Sequence, residues 1–217
     1  MIRSLSTWLW LVDLQGGSAL DASAEQTSDL AAGLFGHFSD VTILRENHAS
    51  LEAVRLDSLE GPAAAASFLV GSIATVPLAP RSFECIALHD ALASVSSSKA
   101  ELRTGFAAAY ALLRHDGWLA ATFPSPSIQS ICSRQWRPSR RSVCRMLTRA
   151  GFREMRLLYV ESGLERPLTM LPGRADAIRA YENAPGMRPR TRGVRSALAS
   201  VGAHSILYPA FLVLARA

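Results

Sequence analysis

The chain has 217 residues, 49% of them hydrophobic and 19% charged, so it can bury a substantial core and is not globally disordered. Its formal net charge is +5, and arginine carries nearly all of the positive charge because Lys99 is the only lysine. Arginine binds phosphate and carboxylate groups well. The bias therefore indicates either an anionic substrate or an acidic partner, or it reflects genome composition alone.

The cysteine pattern excludes a disulfide framework. Cys85, Cys132 and Cys144 form no CxxC pair and have no histidine at zinc-site spacing. We therefore expect a reduced, cytoplasmic protein without a metal site. Asp13 interrupts the apolar run near the N-terminus well short of the length that crosses a membrane, so we expect neither a signal peptide nor a membrane span.

The first half of the chain alternates apolar strands with amphipathic helices. Residues 8–14 form either a short helix or an edge strand, because periodicity does not decide at this length. Ser23 and Gln26 have the spacing of a helix capping box. In chain order the sequence predicts a strand at 18–22, a helix from there to about Phe38, a strand at 41–44, a helix at 49–59 and a strand at 67–70.

The second half continues this alternation. The sequence predicts strands at 83–88, 118–123, 153–160 and 211–215, helices at 99–113 and 139–150, and a turn at His115-Asp116-Gly117. The arginine-rich segment 163–209, with helices predicted near 175–181 and 194–201, should cover the edge or the active face of the sheet. Alternation of this kind predicts an α/β domain built on a parallel sheet.

Three stretches in this order resemble class I S-adenosylmethionine-dependent methyltransferases of the type 11 kind. Residues 76–92, VPLAPRSFECIALHDAL, are similar to the family segment LPFPDxSFDLVVxxxxL. Residues 112–119, LLRHDGWL, are similar to LKPGGxL, and residues 146–152, MLTRAGF, to LLxxAGF. The resemblance implies a single Rossmann-like domain over residues 1–217, with a seven-stranded, mostly parallel sheet, an antiparallel last strand and helices on both faces. Residues 1–17 would be an N-terminal segment, and 163–209 an insertion or lid before the last strand.

The cofactor loop departs from the family pattern. In the family the first strand leads into an acidic residue followed by alternate glycines, which let the backbone pass close to the cofactor. The matching run begins at Asp21 and has Ser23, Glu25 and Thr27 where glycines are expected. A carboxylate at Glu25 would repel the carboxylate of S-adenosylmethionine.

Two further positions that the resemblance assigns to the cofactor are altered. The acidic residue that would bind the ribose hydroxyls falls at Arg45, and only a small bulge would let the next residue, Glu46, serve. The Gly-Asp pair before the adenine contact reads Gly71-Ser72. The cofactor-binding candidates, all in degenerate form, are Asp21, Ser23, Glu25, Glu46, Ser72 and Ile73.

His89 and Asp90 are the catalytic candidates. They follow the fourth predicted strand of the sheet, where open α/β sheets place reacting groups, and histidine titrates near neutrality. Either residue could therefore act as a general base. The alternative is that polar residues at a strand end make ordinary loop hydrogen bonds.

The sequence leaves three functions open. The favoured hypothesis is a non-catalytic or repurposed pseudo-methyltransferase that needs no cofactor. Such a chain would be the structural partner of an active methyltransferase or would form a homodimer. The second is an active methyltransferase that uses S-adenosylmethionine on a small-molecule substrate through an atypical motif. The third is a binding module for an anionic partner. A basic stretch that includes an aromatic residue could bind RNA or a phosphorylated substrate; it consists of Arg134, Trp136, Arg137, Arg140, Arg141, Arg145 and Arg149. Nucleic acid is less favoured as the partner, because arginines along one side of a helix are more often solvated.

Overall fold

Strands and helices alternate along most of the described chain, although β3 is followed directly by β4 and β6 by β7. The computed structural model describes residues 9, 11–12, 14, 16–23, 28–58, 66–89, 98–125, 138–161, 169–182, 208 and 210–217. Its elements in chain order are β1 (Ser18–Asp21), α1 (Ser28–Phe35), β2 (Asp40–Arg45), α2 (His48–Ser58), β3 (Ala66–Val70), β4 (Phe83–His89), α3 (Lys99–Leu112), β5 (Leu113–Pro124), α4 (Arg140–Ala150), β6 (Arg153–Glu161), β7 (Thr169–Pro172), α5 (Ala175–Glu182) and β8 (Ala210–Arg216). The second predicted helix of the 163–209 segment, near 194–201, lies outside the described residues.

The strands form one mixed sheet in the order β3-β2-β1-β4-β5-β8-β6-β7. The strands β1 to β5 pair in parallel, as crossover helices require, whereas β8 pairs antiparallel with both β5 and β6. The last strand is therefore inserted between two strands that precede it in the chain, and the predicted antiparallel last strand is confirmed.

The described sheet has eight strands, so the predicted number of seven was wrong. The additional strand, β7, lies in the segment predicted as an insertion or lid and pairs antiparallel with β6 from Leu158↔Pro172 to Glu161↔Thr169. Its residues, TMLP, end in a proline and contain only two consecutive apolar residues, so they carry little strand signal and the strand was missed. Part of the segment thus extends the sheet at its edge.

The predicted turn at 115–117 lies inside β5 as an irregularity. Phe83 pairs with Leu113 and Cys85 pairs with Trp118, so four residues of β5, 114–117, bulge out opposite one residue of β4. Asp116 has a φ of 67°, a conformation that aspartate tolerates better than most residues. The segment therefore retains the backbone geometry of a turn within a strand.

Apolar side chains cover both faces of the sheet. On one face Phe106, Leu147 and Ile178, from α3, α4 and α5, pack in a cluster with strand residues such as Leu119. On the other face a second cluster includes residues of α1 and α2 together with Leu9. Alternate strand residues contribute to the two clusters, which is the pattern of a sheet buried on both sides. The predicted helices on both faces are thus confirmed.

No helix among the described residues is both long and apolar enough to cross a membrane.

Candidate functional site

The candidate site lies at the carboxyl ends of β2, β1, β4 and β5, which are neighbours in the sheet. The chain proceeds from β1 outward to β2 and β3 on one side, and through β4 to β5 on the other. The order therefore reverses between β1 and β4, and open α/β sheets bind ligands at such a switch point. Buried polar residues end three of these strands, namely Asp21, Arg45 and His89, and buried Thr122 lies two residues before the end of β5.

Arg45 and Asp21 form an ion pair inside the protein. Arg45 Nη2 lies 2.8 Å from Asp21 Oδ2, and both side chains are fully buried. Arg45 Nη1 also donates to the backbone oxygens of Asp21, at 3.1 Å, and Leu44, at 2.9 Å. Within the described residues Arg45 Nε has no hydrogen-bond partner. The guanidinium therefore ties the end of β2 to the end of β1 from within the core.

Ser23 extends this contact toward β4. Its backbone nitrogen donates to Asp21 Oδ1 at 3.1 Å, and its hydroxyl donates to the same oxygen. The Ser23 hydroxyl in turn accepts a hydrogen bond of 3.2 Å from the His89 backbone nitrogen. A residue at a position where the resemblance expects glycine thus holds the β1 and β4 ends together through its side chain.

The His89 side chain is buried against β5. Its Nδ1 lies 2.7 Å from the Thr122 hydroxyl, and only 4% of the residue is exposed. The polar contacts therefore run without a break from Arg45 through Asp21, Ser23 and His89 to Thr122. The network links four adjacent strand ends and places the catalytic candidate His89 in a structural contact.

The remaining site candidates are dispersed. Glu46 is exposed, and partial desolvation raises its pKa. The pairing of β2 with β3 is regular through Arg45↔Val70, so this pairing contains no bulge that would bring Glu46 to the Arg45 position. Glu25 and Asp90 lie outside the described residues.

Ser72 and Ile73 lie in the turn after β3. The backbone oxygen of Ser72 accepts from the Thr75 and Val76 nitrogens, and its hydroxyl accepts from the Ala74 nitrogen at 3.3 Å. Ile73 is buried in the core. Ser72 therefore caps a turn, where the resemblance expects a carboxylate. No group of three or more histidine, cysteine, aspartate or glutamate residues that could hold a metal occurs in the described part of the chain.

Searches for similar proteins find matches by structure. No family model and no curated sequence matches the chain. The fold is similar to a SAM-dependent methyltransferase from Thermotoga maritima, with a TM-score of 0.63 and 13% identity over 99% of this chain and 87% of that one. It is also similar to geranyl diphosphate C-methyltransferase from Streptomyces coelicolor, solved with S-adenosyl-L-homocysteine, with a TM-score of 0.62 and 10% identity over 98% and 74% of the two chains.

A third structure, from Bacillus halodurans and assigned as a methyltransferase, matches over 98% of both chains with a TM-score of 0.63 and 14% identity. These matches extend over nearly the whole chain. This chain has a class I methyltransferase fold. The eight-stranded sheet is the methyltransferase sheet with one additional edge strand, β7.

In this methyltransferase fold, the sequence located the altered positions but missed the contact between them. The anomaly at Arg45 was visible, yet its partner Asp21 was treated only as the start of the cofactor loop. Thr122 was missed altogether, because a threonine in an apolar strand carries no signal by itself. The available signal was the pair of opposite charges at the ends of two strands predicted to be neighbours.

Proposed function

We propose that this chain is a methyltransferase-fold protein with no catalytic methyl transfer of its own, and that it is the structural partner of an active methyltransferase. One observation carries the proposal, namely that Arg45 is turned inward and paired with Asp21. The two residues occupy the positions that the resemblance assigns to the ribose contact and to the start of the cofactor loop.

Arg45 cannot replace an acidic ribose ligand. A guanidinium has hydrogen-bond donors only, whereas a carboxylate accepts the hydrogens of two hydroxyl groups. Arg45 also neutralises Asp21 and spends both Nη atoms on protein oxygens. Glu46, the nearest alternative acid, follows a regular strand end and is exposed. The described residues therefore do not fit S-adenosylmethionine at its ribose.

His89 is also poorly suited to act as a base. A general base must come within hydrogen-bonding distance of the proton that it removes. The His89 ring is buried and in contact with Thr122 through Nδ1. This geometry supports the loop-bonding interpretation of His89 over the catalytic one.

The second candidate is an active methyltransferase for a small-molecule substrate, with an atypical cofactor loop. The structural matches favour it, because they cover nearly the whole chain and include an enzyme bound to S-adenosyl-L-homocysteine. Function resides in the site rather than in the fold, however, and the paired Arg45 and Asp21 argue against this candidate.

Calorimetry on the full chain separates the two candidates. We expect no heat of binding when the protein is titrated with S-adenosylmethionine or S-adenosylhomocysteine, and no co-purified cofactor by mass spectrometry. The Thermotoga methyltransferase serves as the positive control. A ligand present at one hundred times its Kd would stabilise the fold by about 2.7 kcal/mol, so a thermal shift assay gives a second readout. Micromolar binding by the chain alone would overturn the proposal.

A further inference from the structure

The outer side of α4 carries a row of arginines that folding does not explain. The helix begins after Ser139, whose hydroxyl accepts from the Ser142 nitrogen, and ends at Gly151, which has a φ of 111°. Val143, Met146 and Leu147 are buried beneath it. Caps and an apolar inner face are sufficient to place the helix on the sheet.

Arg141, Arg145 and Arg149 form this row, here called the arginine stripe, and all three are exposed. They follow one another at four-residue steps, so their backbone positions are separated by about 6 Å along the axis. Like charges at this spacing destabilise a helix by about 0.2–0.5 kcal/mol per pair. The helix dipole disfavours Arg141 in the first turn and favours Arg149 in the last turn, so the mutual repulsion of the three charges remains as the local cost.

Nothing in the described part of the chain neutralises the stripe. The helix has no acidic residue, and none of the three arginines forms an ion pair with a described carboxylate. Arg140, by contrast, donates to the Tyr159 hydroxyl at 3.0 Å. Arg145 Nε donates to the Arg141 backbone oxygen at 3.3 Å, and neither of its Nη atoms is bonded to a described residue. The stripe thus combines unfavourable local electrostatics with unused bidentate donors.

We propose that the arginine stripe of α4 is a docking surface for an acidic helix of a partner protein. Glutamates at four-residue steps on such a helix have the same spacing of about 6 Å, so each can accept a bidentate hydrogen bond from one guanidinium. Only the partner's identity as a methyltransferase rests on the proposed function. The proposal of a docking surface depends on the arginines of α4 alone.

A protein fits the stripe better than a nucleic acid does. Binding to single-stranded nucleic acid relies on aromatic side chains that stack on the bases. Leu11 is the one exposed large apolar residue of the described surface, which includes no exposed large aromatic residue; Trp136 lies outside the described residues. Three charges would also neutralise at most three phosphates, which gives weak binding at physiological salt.

The test uses fluorescence anisotropy with a labelled helical peptide that carries glutamate at three successive four-residue steps. We expect the full-length chain to bind it at low salt, and R141Q/R145Q/R149Q to lower the affinity at least tenfold. The matched control is R114Q/R174Q/R179Q, which removes the same charge from other exposed positions and should lower it less than threefold. A peptide with glutamine in place of glutamate should not bind. Circular dichroism confirms that both variants are folded.

Three outcomes would overturn the proposal. They are no binding of the glutamate peptide by the unmodified chain, an equal loss in both triple variants, and tighter stripe-dependent binding of a single-stranded RNA oligonucleotide. The cofactor titration is a separate measurement, because it probes the strand ends of the sheet and not α4. A stripe that does not bind the peptide would therefore not affect the proposal that the chain lacks catalytic methyl transfer. Cofactor binding, in turn, would not affect the proposed docking surface.

Discussion

Arg45 and Asp21, at the ends of neighbouring parallel strands, form an ion pair of 2.8 Å between two fully buried side chains. The pair occupies the edge of the sheet where ligands of open α/β folds bind. It converts two positions that the resemblance assigns to a cofactor into a contact that holds the sheet together.

Removing the charge of Asp21 should therefore be costly. Asp21→Asn leaves the Arg45 guanidinium buried without a counter-ion, and we expect the free energy of unfolding to fall by about 3–5 kcal/mol. Urea denaturation measures this change. Asp40→Asn makes the same chemical change at an exposed position of β2 and should alter stability by less than about 0.5 kcal/mol. Equal effects of the two substitutions would contradict a structural role for the pair.

Replacing both partners with apolar residues should cost less than breaking the pair. Arg45 Nε has no partner among the described residues, so the ion pair is incompletely satisfied. We expect D21L/R45M to be more stable than the sum of the two single variants predicts, by about 0.5–3 kcal/mol. A double-mutant cycle of urea denaturation measures the coupling energy between Asp21 and Arg45. Losses of stability that simply add would argue against the coupling.

Thr122→Val should weaken the link between β4 and β5. The substitution keeps the shape of the side chain but removes the hydroxyl that lies 2.7 Å from His89 Nδ1. We expect a loss of about 1–3 kcal/mol, because a buried polar group loses its partner. Thr104→Val removes an exposed hydroxyl on α3 that bonds to the Ala100 oxygen, and it should have a smaller effect. If the two variants were equally stable, the buried contact between Thr122 and His89 would contribute no measurable stability.

Gly151→Ala should destabilise the end of α4 through two effects. Gly151 has a φ of 111°, and an added Cβ would lie 2.6 Å from the Tyr110 ring. Gly16→Ala separates these effects, since Gly16 has a φ of 79° but no atom within 4 Å of an added Cβ. We expect about 1–3 kcal/mol of backbone strain at either position and a further loss at Gly151 alone. Thermal unfolding of the two variants tests whether Gly151→Ala is the less stable of the two.

The two described thiols should differ in reactivity. Burial raises the pKa of the Cys85 thiol, and partial burial raises that of Cys144 against the opposing charge of Arg140. Because the thiolate is the nucleophile, Cys144 should be alkylated slowly at neutral pH and faster as the pH rises above the ordinary range for a thiol. Cys85 should stay unmodified until the protein unfolds. Peptide mass spectrometry after iodoacetamide treatment measures the labelling of both thiols, with Cys144→Ser as the control. Rapid labelling of Cys85 in the native protein would contradict its burial.

Much of the fold was predictable from the sequence because the signals are local. The apolar pattern at 41–44 gave β2, and the last-turn pattern before Gly151 gave the end of α4. Ser23, at a position where the resemblance expects glycine, led to the prediction of an altered cofactor loop, which stays a prediction. The short strand β7 was missed because its four residues are held by pairing with β6 rather than by any pattern of their own.

The sequence by itself determined the order of the described helices and of every strand except β7, since periodicity and capping act over a few residues. Only the tertiary structure decided that Arg45 pairs with Asp21 across 24 residues of chain, and that Ser23 and Thr122 join them to His89. The physical reason is that a charge in a sequence has no partner until the sheet places one beside it. In the low dielectric of the core that partner, rather than the residue type, determines what the position does.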